Sequence, residues 1–175
     1  LGRIILCAPT GRAAKRLTEA TEFEATTIHR LLVPVQGSDS YDFTKNEDDP
    51  LEIDVIIIDE ASMLNVRLFY SLMAAIPRAA HVIIVGDVDQ LPPIGAGFVL
   101  KDLLDSECVP YTRLNQIYRQ NSGNTIVDSA YAINRGDMPK LDGNGDEFSF
   151  IPVNSYDALM KVIIDVYKRE QEHIE

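Results

Sequence analysis

The sequence predicts an α/β protein: a parallel sheet with helices on both faces. Three observations lead there. Short apolar, β-branched runs recur along the 175 residues, stretches of helical period lie between them, and the clearest run, VIII at 55–58, ends on two carboxylates. Open α/β sheets bind their ligands beyond the carboxyl ends of the strands, so polar residues at that point are of interest.

Taken in order, RIILCA (3–8) reads as a strand and GRAAKRLTEA (11–20) as a helix of good helix formers. TTIHRLL (26–32) is expected to be a short helix capped by Thr26 or Thr27. VPVQGSDSYDFTK (33–45) has apolar positions on either side of a Gly-Ser-Asp turn and suggests a β-hairpin, followed by an acidic loop, NEDDP. DVIIID (54–59) is a strand, and NVRLFYSLMAAI (65–76) an amphipathic helix ended by Pro77. HVIIVG (81–86) is expected to be another buried strand, GFVLKDLLD (97–105) a helix and VPYTRL (109–114) a short strand. SGNTIVDSAYAINRG (122–136) follows as a helix closed by Gly136, then DGNGDE (142–147) as a polar linker. FSFIPV (148–153) and SYDALMKVIIDVYKREQ (155–171) complete the chain as a strand and a helix.

Composition narrows the class. No apolar run approaches the roughly 20 residues needed to cross a bilayer, and the start LGRIILCAPT lacks the features of a secretory signal. A cytoplasmic protein with no membrane partner is the expectation. Two cysteines, Cys7 and Cys108, allow neither a disulfide framework nor Cys-based metal spacing, and both read as reduced filler. A net charge of −11 argues against a polyanionic partner, because nucleic-acid binding draws on Lys and Arg to neutralise phosphates. Its distribution weakens the objection: residues 1–36 carry a surplus of two cations, whereas residues 37–54 hold seven acids against Lys45 alone.

Four polar groups stand out. Asp59 and Glu60 leave a strand tip together, as nucleotide hydrolysis asks of a residue that assists Mg²⁺ and one that polarises water. Alone, the pair reads equally well as an acidic turn. HVIIVGDVDQLPPIGAG (81–97) repeats the pattern of apolar run, Gly and Asp87, and adds Gln90, whose amide can donate to a phosphate oxygen and accept from water. In RLNQIYRQ (113–120), Arg119 follows an apolar-aromatic pair that would hold its stem while the guanidinium reaches an anion. A surface Gln and a surface Arg are the plain alternatives. On the other side, APTGRAA opens a helix whose unpaired N–H groups favour a phosphate, with Arg12, Lys15 and Arg16 adding charge or forming a solvated face.

Together these stretches resemble superfamily 1 DNA helicases of the exodeoxyribonuclease V alpha-subunit (RecD/TraA) type, over nearly all of residues 3–141. LCAPTGRAAKRL is similar to motif Ia of that family and TIHRLL to its next DNA-side motif. VIIIDEASML resembles the Walker B motif, VGDVDQLPPIGAG motif III and LNQIYRQ motif IV. The resemblance implies a RecA-like motor domain over 1–141 with a hairpin insertion at 33–45, and over 142–175 a linker and the start of a second RecA-like domain. It also implies ATP and Mg²⁺ as cofactors, single-stranded DNA as partner, nuclease or helicase subunits as further partners, a role in recombination and repair, and 5′→3′ polarity. By residue, it makes Asp59 the Mg²⁺ ligand, Glu60 the catalytic base, Gln90 the γ-phosphate sensor and Arg119 a transition-state arginine. Pro9, Thr10, Gly11 and Arg12 would meet the DNA backbone, with His29 near the same path, although a lone His is more often a packing residue.

One departure is marked. No G-x-x-x-x-G-K-[ST] occurs, so the RecA-like sheet is expected to be incomplete, lacking the first P-loop strand and helix, and the chain to be an inactive piece of a larger motor. Two other readings stand beside the helicase: a PhoH-like ATPase, and a non-catalytic DNA-binding or subunit-docking module that kept the sheet and lost hydrolysis.

Overall fold

Cys7 and Ala8 set the layout of the sheet, because successive side chains on a strand point to opposite faces. A computed structural model describes residues 2–37, 41–114, 125–139, 141 and 150–172. They fall into two compact units, Leu1–Arg113 and Leu114–Glu175. In the first, β1 (Ile4–Ala8), β2 (Ala25–Thr27), β3 (Val55–Ile58) and β4 (His81–Ile84) pair in parallel in the order β2-β1-β3-β4.

The register aligns Cys7 with Ile58 and Ile58 with Ile84, so these three share a face. Cys7 and Ile58 are buried there with Ile28 and Leu32 of α2 (Ile28–Leu32) and with Leu68 and Leu72 of α3 (Val66–Ala75), and Ile84 packs against that cluster. On the opposite face Ala8 packs with Ala13 and Ala14 of α1 (Gly11–Thr21). Helices therefore cover both faces, the second only in part.

Caps fix where the helices begin. Thr10 Oγ1 accepts the Ala13 N–H at 3.2 Å, and Thr27 Oγ1 accepts the Arg30 N–H at 3.2 Å. Thr27 is thus the cap of α2, while Thr26 lies inside β2. Ile76 adopts an extended conformation ahead of Pro77, which ends α3. Residues 33–37 and 41–45 meet through one antiparallel bridge, Pro34 to Phe43, supported by Val35 N–H to Asp42 O at 2.9 Å. Past this turn, Leu51 and Ile53 are buried while Glu52 and Asp54 stay exposed, so the acidic stretch is a surface strip on two apolar anchors. α4 (Val99–Asp105) closes the first unit's regular structure.

Four expectations need correction. β4 is an exposed edge, not a buried strand: Ile83 is 48% exposed. Its apolar run reads as burial on both faces, but among the described residues β4 pairs with β3 alone. Residues 109–114 form no strand, and residues 150–153 form none either; Phe148 and Ser149 lie outside the described residues, as does the linker 142–147. The helix expected from Thr26 starts at Ile28, because Ala25–Thr27 pairs with β1, a three-residue strand too short to carry a periodic signal. In the second unit, α5 (Thr125–Asn134) is followed by Gly136 in the left-handed region, and α6 (Tyr156–Glu172) starts at Ser155, whose Oγ accepts the Ala158 N–H.

Both cysteines are free thiols, but only Cys108 is exposed. Burial pushes the Cys7 thiol up to about 12. Because the thiolate is the reactive form, a thiol reagent at neutral pH is expected to label Cys108 quickly and Cys7 only in denaturant. Equal labelling rates in the native protein, read by mass spectrometry, would contradict this placement of β1.

Candidate functional site

Four parallel strands end on one edge, and the exits stand side by side there. Across it run Thr27 and α2 after β2, Pro9–Arg12 after β1, Asp59–Glu60 after β3, and Val85–Asp87 after β4. Neighbouring strands lie about 4.8 Å apart, so Thr10 and Asp59 stand on adjacent exits. The Asp59 N–H donates to Cys7 O at 2.9 Å, carrying the β1–β3 ladder one residue past β3.

The β3 and β4 exits are stitched together. Val85 N–H donates to Ile58 O at 2.8 Å, and Ala61 N–H returns the bond to Val85 O at 2.9 Å. A Cβ on Gly86 would lie 2.8 Å from Leu100 Cδ2 and 3.0 Å from Ser62 N, so a larger residue would force its neighbours to give way. Within that clasp Glu60 holds φ 52°, ψ 40°, in the left-handed region that costs a residue with a Cβ on the order of 1–2 kcal/mol. Strain of this kind survives where surrounding contacts over-determine the backbone. Asp59 and Glu60 are both half-buried.

The remaining residues are placed as follows. Asp87 Oδ1 accepts the Asp89 N–H at 3.0 Å and Asp87 O accepts the Gln90 N–H at 3.3 Å, a tight turn that leaves Gln90 exposed. Asp89 meets Arg113 at 3.5 Å. Pro9 is half-buried, Thr10 Oγ1 caps α1, Arg12 is exposed, and nothing lies within 4 Å of where a Cβ on Gly11 would sit, which leaves open space over the start of α1. Lys15 pairs with Glu19 at 3.8 Å on the solvent side of α1. His29 stands on the same edge, with its ring packed edge-on against Phe43 at 5.7 Å between centroids. Arg119 lies outside the described residues. The edge thus gathers Thr10, Gly11, Arg12, Asp59, Glu60 and Asp87, while Gln90 sits three residues beyond it.

Sequence reasoning missed three residues. Asn65 caps α3 by accepting the Leu68 N–H at 2.9 Å, and its Nδ2 donates to Ile94 O at 3.1 Å and to Tyr41 Oη at 2.7 Å. It ties the loop after β4 and the turn at 33–45 to one helix start. Asn ahead of a helical run is a cap signal, but nothing local in NVRLFYSLMAAI shows its second and third partners. Ser62 is buried, and among the described residues its Oγ has no hydrogen-bond partner.

Two oxygen-rich side chains at a strand exit suit a hard cation held by one or two carboxylates together with phosphate oxygens. Among the described residues, no three His, Cys, Asp or Glu cluster as a self-sufficient metal site. Parallel strands, helices on both faces and a polar exit edge define the class: a RecA-like α/β domain. Comparison with known proteins sharpens it. Residues 1–96 match the family model described as AAA domain. The chain is 44% identical over 134 residues to the ATP-dependent RecD2 DNA helicase of Deinococcus radiodurans, covering 77% of this chain and 18% of that protein. It is 32% identical over 185 residues to RecBCD enzyme subunit RecD of Mycolicibacterium smegmatis, covering 93% of this chain and 32% of that one. Among solved structures, a Pif1 helicase from a study of DNA unwinding at forked dsDNA superposes with a TM-score of 0.53 at 20% identity, over 93% of this chain and 46% of that chain, a likeness of fold. The chain belongs to the AAA domain family. It spans 18% and 32% of the length of these two relatives.

Two substitutions probe the clasp. Glu60→Gly is expected to be more stable than Glu60→Ala by about 1 kcal/mol in urea unfolding, since only Gly is relaxed at positive φ; equal midpoints would mean Glu60 is unstrained. Gly86→Ala is expected to cost about 1–3 kcal/mol by overpacking against backbone, and an unchanged urea midpoint would contradict the close approach.

Proposed function

We propose that the protein carrying this chain is an ATP-dependent DNA helicase of recombination and repair, coupling ATP hydrolysis to 5′→3′ translocation on single-stranded DNA in the cytoplasm. The observation that carries the reading is the order of groups along the exit edge. The acid pair and the Asp87–Gln90 turn occupy its β3–β4 end, and the open start of α1 with Arg12 lies next to them toward β2. A triphosphate at one end and a DNA backbone at the other would share a rigid sheet between them. The RecD2 and RecD relatives, one of them named an ATP-dependent DNA helicase, support this assignment.

In this reading Asp59 helps hold Mg²⁺, which when bound offsets the charge of the β- and γ-phosphates. Glu60 orients the attacking water and takes its proton, a task suited to a carboxylate at a strand exit. Gln90, exposed on a short turn, is free to reach the γ-phosphate, and Arg119 would stabilise the developing charge. Pro9, Thr10, Gly11 and Arg12 grip the DNA backbone without reading bases, as translocation requires. His29 would border that path through its edge position, with its ring anchored on Phe43. A Gly-Lys-[Ser/Thr] phosphate loop, absent from these 175 residues, is required elsewhere in the polypeptide, as is a second RecA-like domain that residues 142–175 would begin. Nuclease or helicase subunits are the further partners this reading allows.

The test is the full-length protein's ATP turnover with and without oligodeoxythymidine. Turnover is expected to rise with DNA, and Glu60→Gln to lower kcat by about two to four orders of magnitude while nucleotide affinity stays near wild type. Hydrolysis indifferent to DNA would sink the motor reading and favour a PhoH-like ATPase. DNA binding without any hydrolysis would favour a non-catalytic module.

A further inference from the structure

Between the end of α2 and the loop that carries Gln90 lies a continuous set of contacts. It starts at His29, whose ring meets Phe43. Phe43 is buried in the main core and bridges to Pro34, and Tyr41 lies two residues earlier in the same segment. Tyr41 packs against the same core, and the Arg67 guanidinium carbon sits 4.5 Å from its ring centroid. From Tyr41 Oη the contact passes to Asn65 Nδ2 at 2.7 Å, and the same amide nitrogen donates to Ile94 O at 3.1 Å. Ile94 is 96% exposed, so the loop is held there by its backbone and not by its side chain.

The geometry makes this grip selective. Gly95 holds φ 114°, and a Cβ there would lie 3.0 Å from Asn65 Nδ2, so the loop is shaped to receive this one amide. Ala96 O accepts the Val66 N–H at 2.9 Å, a second backbone tie beside the first. Pro92 and Pro93 separate Ile94 from Gln90, and their fixed φ angles make the intervening backbone stiff. A shift at Asn65 is therefore transmitted toward Gln90 instead of being absorbed. Asn65 uses both amide hydrogens and its carbonyl, with Leu68 N–H as the third partner, and it is buried, so no water replaces a lost partner cheaply.

We infer that Tyr41 and Asn65 are positioning residues that couple the turn at 33–45, and His29 behind it, to the loop bearing Gln90. The inference rests on the helicase reading above and adds to it a route by which DNA at the α2 end alters the sensor loop. Tyr41 touches neither nucleotide nor DNA in this role; it sets where Asn65 holds the Ile94 carbonyl. Coupling energies carried by such contacts amount to a severalfold change in the linked equilibrium.

Two substitutions separate coupling from plain structure. Tyr41→Phe keeps the ring against Arg67 and removes the acceptor for Asn65. Asn65→Asp keeps an equally good helix cap and removes the donor to Ile94 O. In the full-length protein, Tyr41→Phe is expected to lower the ratio of oligodeoxythymidine-stimulated to basal kcat about three- to tenfold, with KM for ATP unchanged. The double variant is expected to lose less than the product of the two single losses, because both act through one amide. A Tyr41→Phe protein that keeps the full ratio overturns the coupling and leaves the helicase reading intact. A wild-type protein without DNA stimulation overturns the helicase reading itself. Hydrogen exchange reads the linkage without turnover: Tyr41→Phe is expected to speed exchange at residues 94–97 as well as at 41–45. Faster exchange confined to 33–45 overturns the proposal whatever the ATPase shows.

Discussion

Parallel pairing is the constraint on which the site depends. Antiparallel neighbours would send alternate strand exits to opposite ends of the sheet, but here all four leave at one edge in register. Residues 17 to 50 positions apart in sequence become neighbours with no contact between their side chains required. The bonds Val85 N–H to Ile58 O and Ala61 N–H to Val85 O then lock two of those exits together. Such backbone pairing is insensitive to side-chain identity except at Gly86, where a Cβ would crowd Leu100 Cδ2 at 2.8 Å and the Ser62 and Ala61 backbone nitrogens at 3.0 and 3.1 Å. Gly86 thus lets the acid pair and the Asp87 turn approach closely without displacing Leu100.

The same clasp explains why Glu60 tolerates a left-handed backbone. The residue is gripped on both sides, by the Asp59 N–H bond to Cys7 O and by the Ala61 N–H bond to Val85 O, so relaxing φ would break one of them. Two net hydrogen bonds at about 0.5–1.5 kcal/mol each are comparable with the conformational cost of about 1–2 kcal/mol. Stability is near balance at that point, and what the clasp fixes is the backbone from which the Glu60 side chain leaves the strand exit.

How much of this was legible in the sequence depends on the range of the cause. β1, β3, α1 and α3 follow from apolar periodicity and nearby caps, all encoded within a dozen residues, and their bounds agree with the expectation to one or two positions. β2 was not legible, because three residues carry no period and its pairing partner lies 19 residues away. The burial of β4 was overread, since HVII has a core composition and only the strand order reveals an edge. At the site, Asp59, Glu60 and Asp87 were legible because their position after an apolar run defines their place in space. Asn65, Tyr41 and Ser62 were not, because their importance comes from partners in other elements.

Strand direction also places part of the acidic charge behind the net −11 away from the start of α1. Glu52 and Asp54 lie at the entry edge: the Arg3 N–H donates to Asp54 Oδ2 at 2.6 Å and the Arg3 guanidinium pairs with Glu52 at 2.7 Å, all ahead of β1 and β3. Arg12 and the start of α1 lie at the exit edge. The five residues of β1 separate the two by about 16 Å at the usual strand rise of about 3.3 Å. That is roughly twice the screening length of about 8 Å in physiological salt. A phosphate approaching α1 therefore responds to Arg12 and to the unpaired N–H groups of the helix far more than to these acids, and the sheet itself keeps the two fields apart. Low salt lengthens the screening distance to about 30 Å at 0.01 M, so these distant acids would weaken the attraction of a phosphate to α1 most when salt is low.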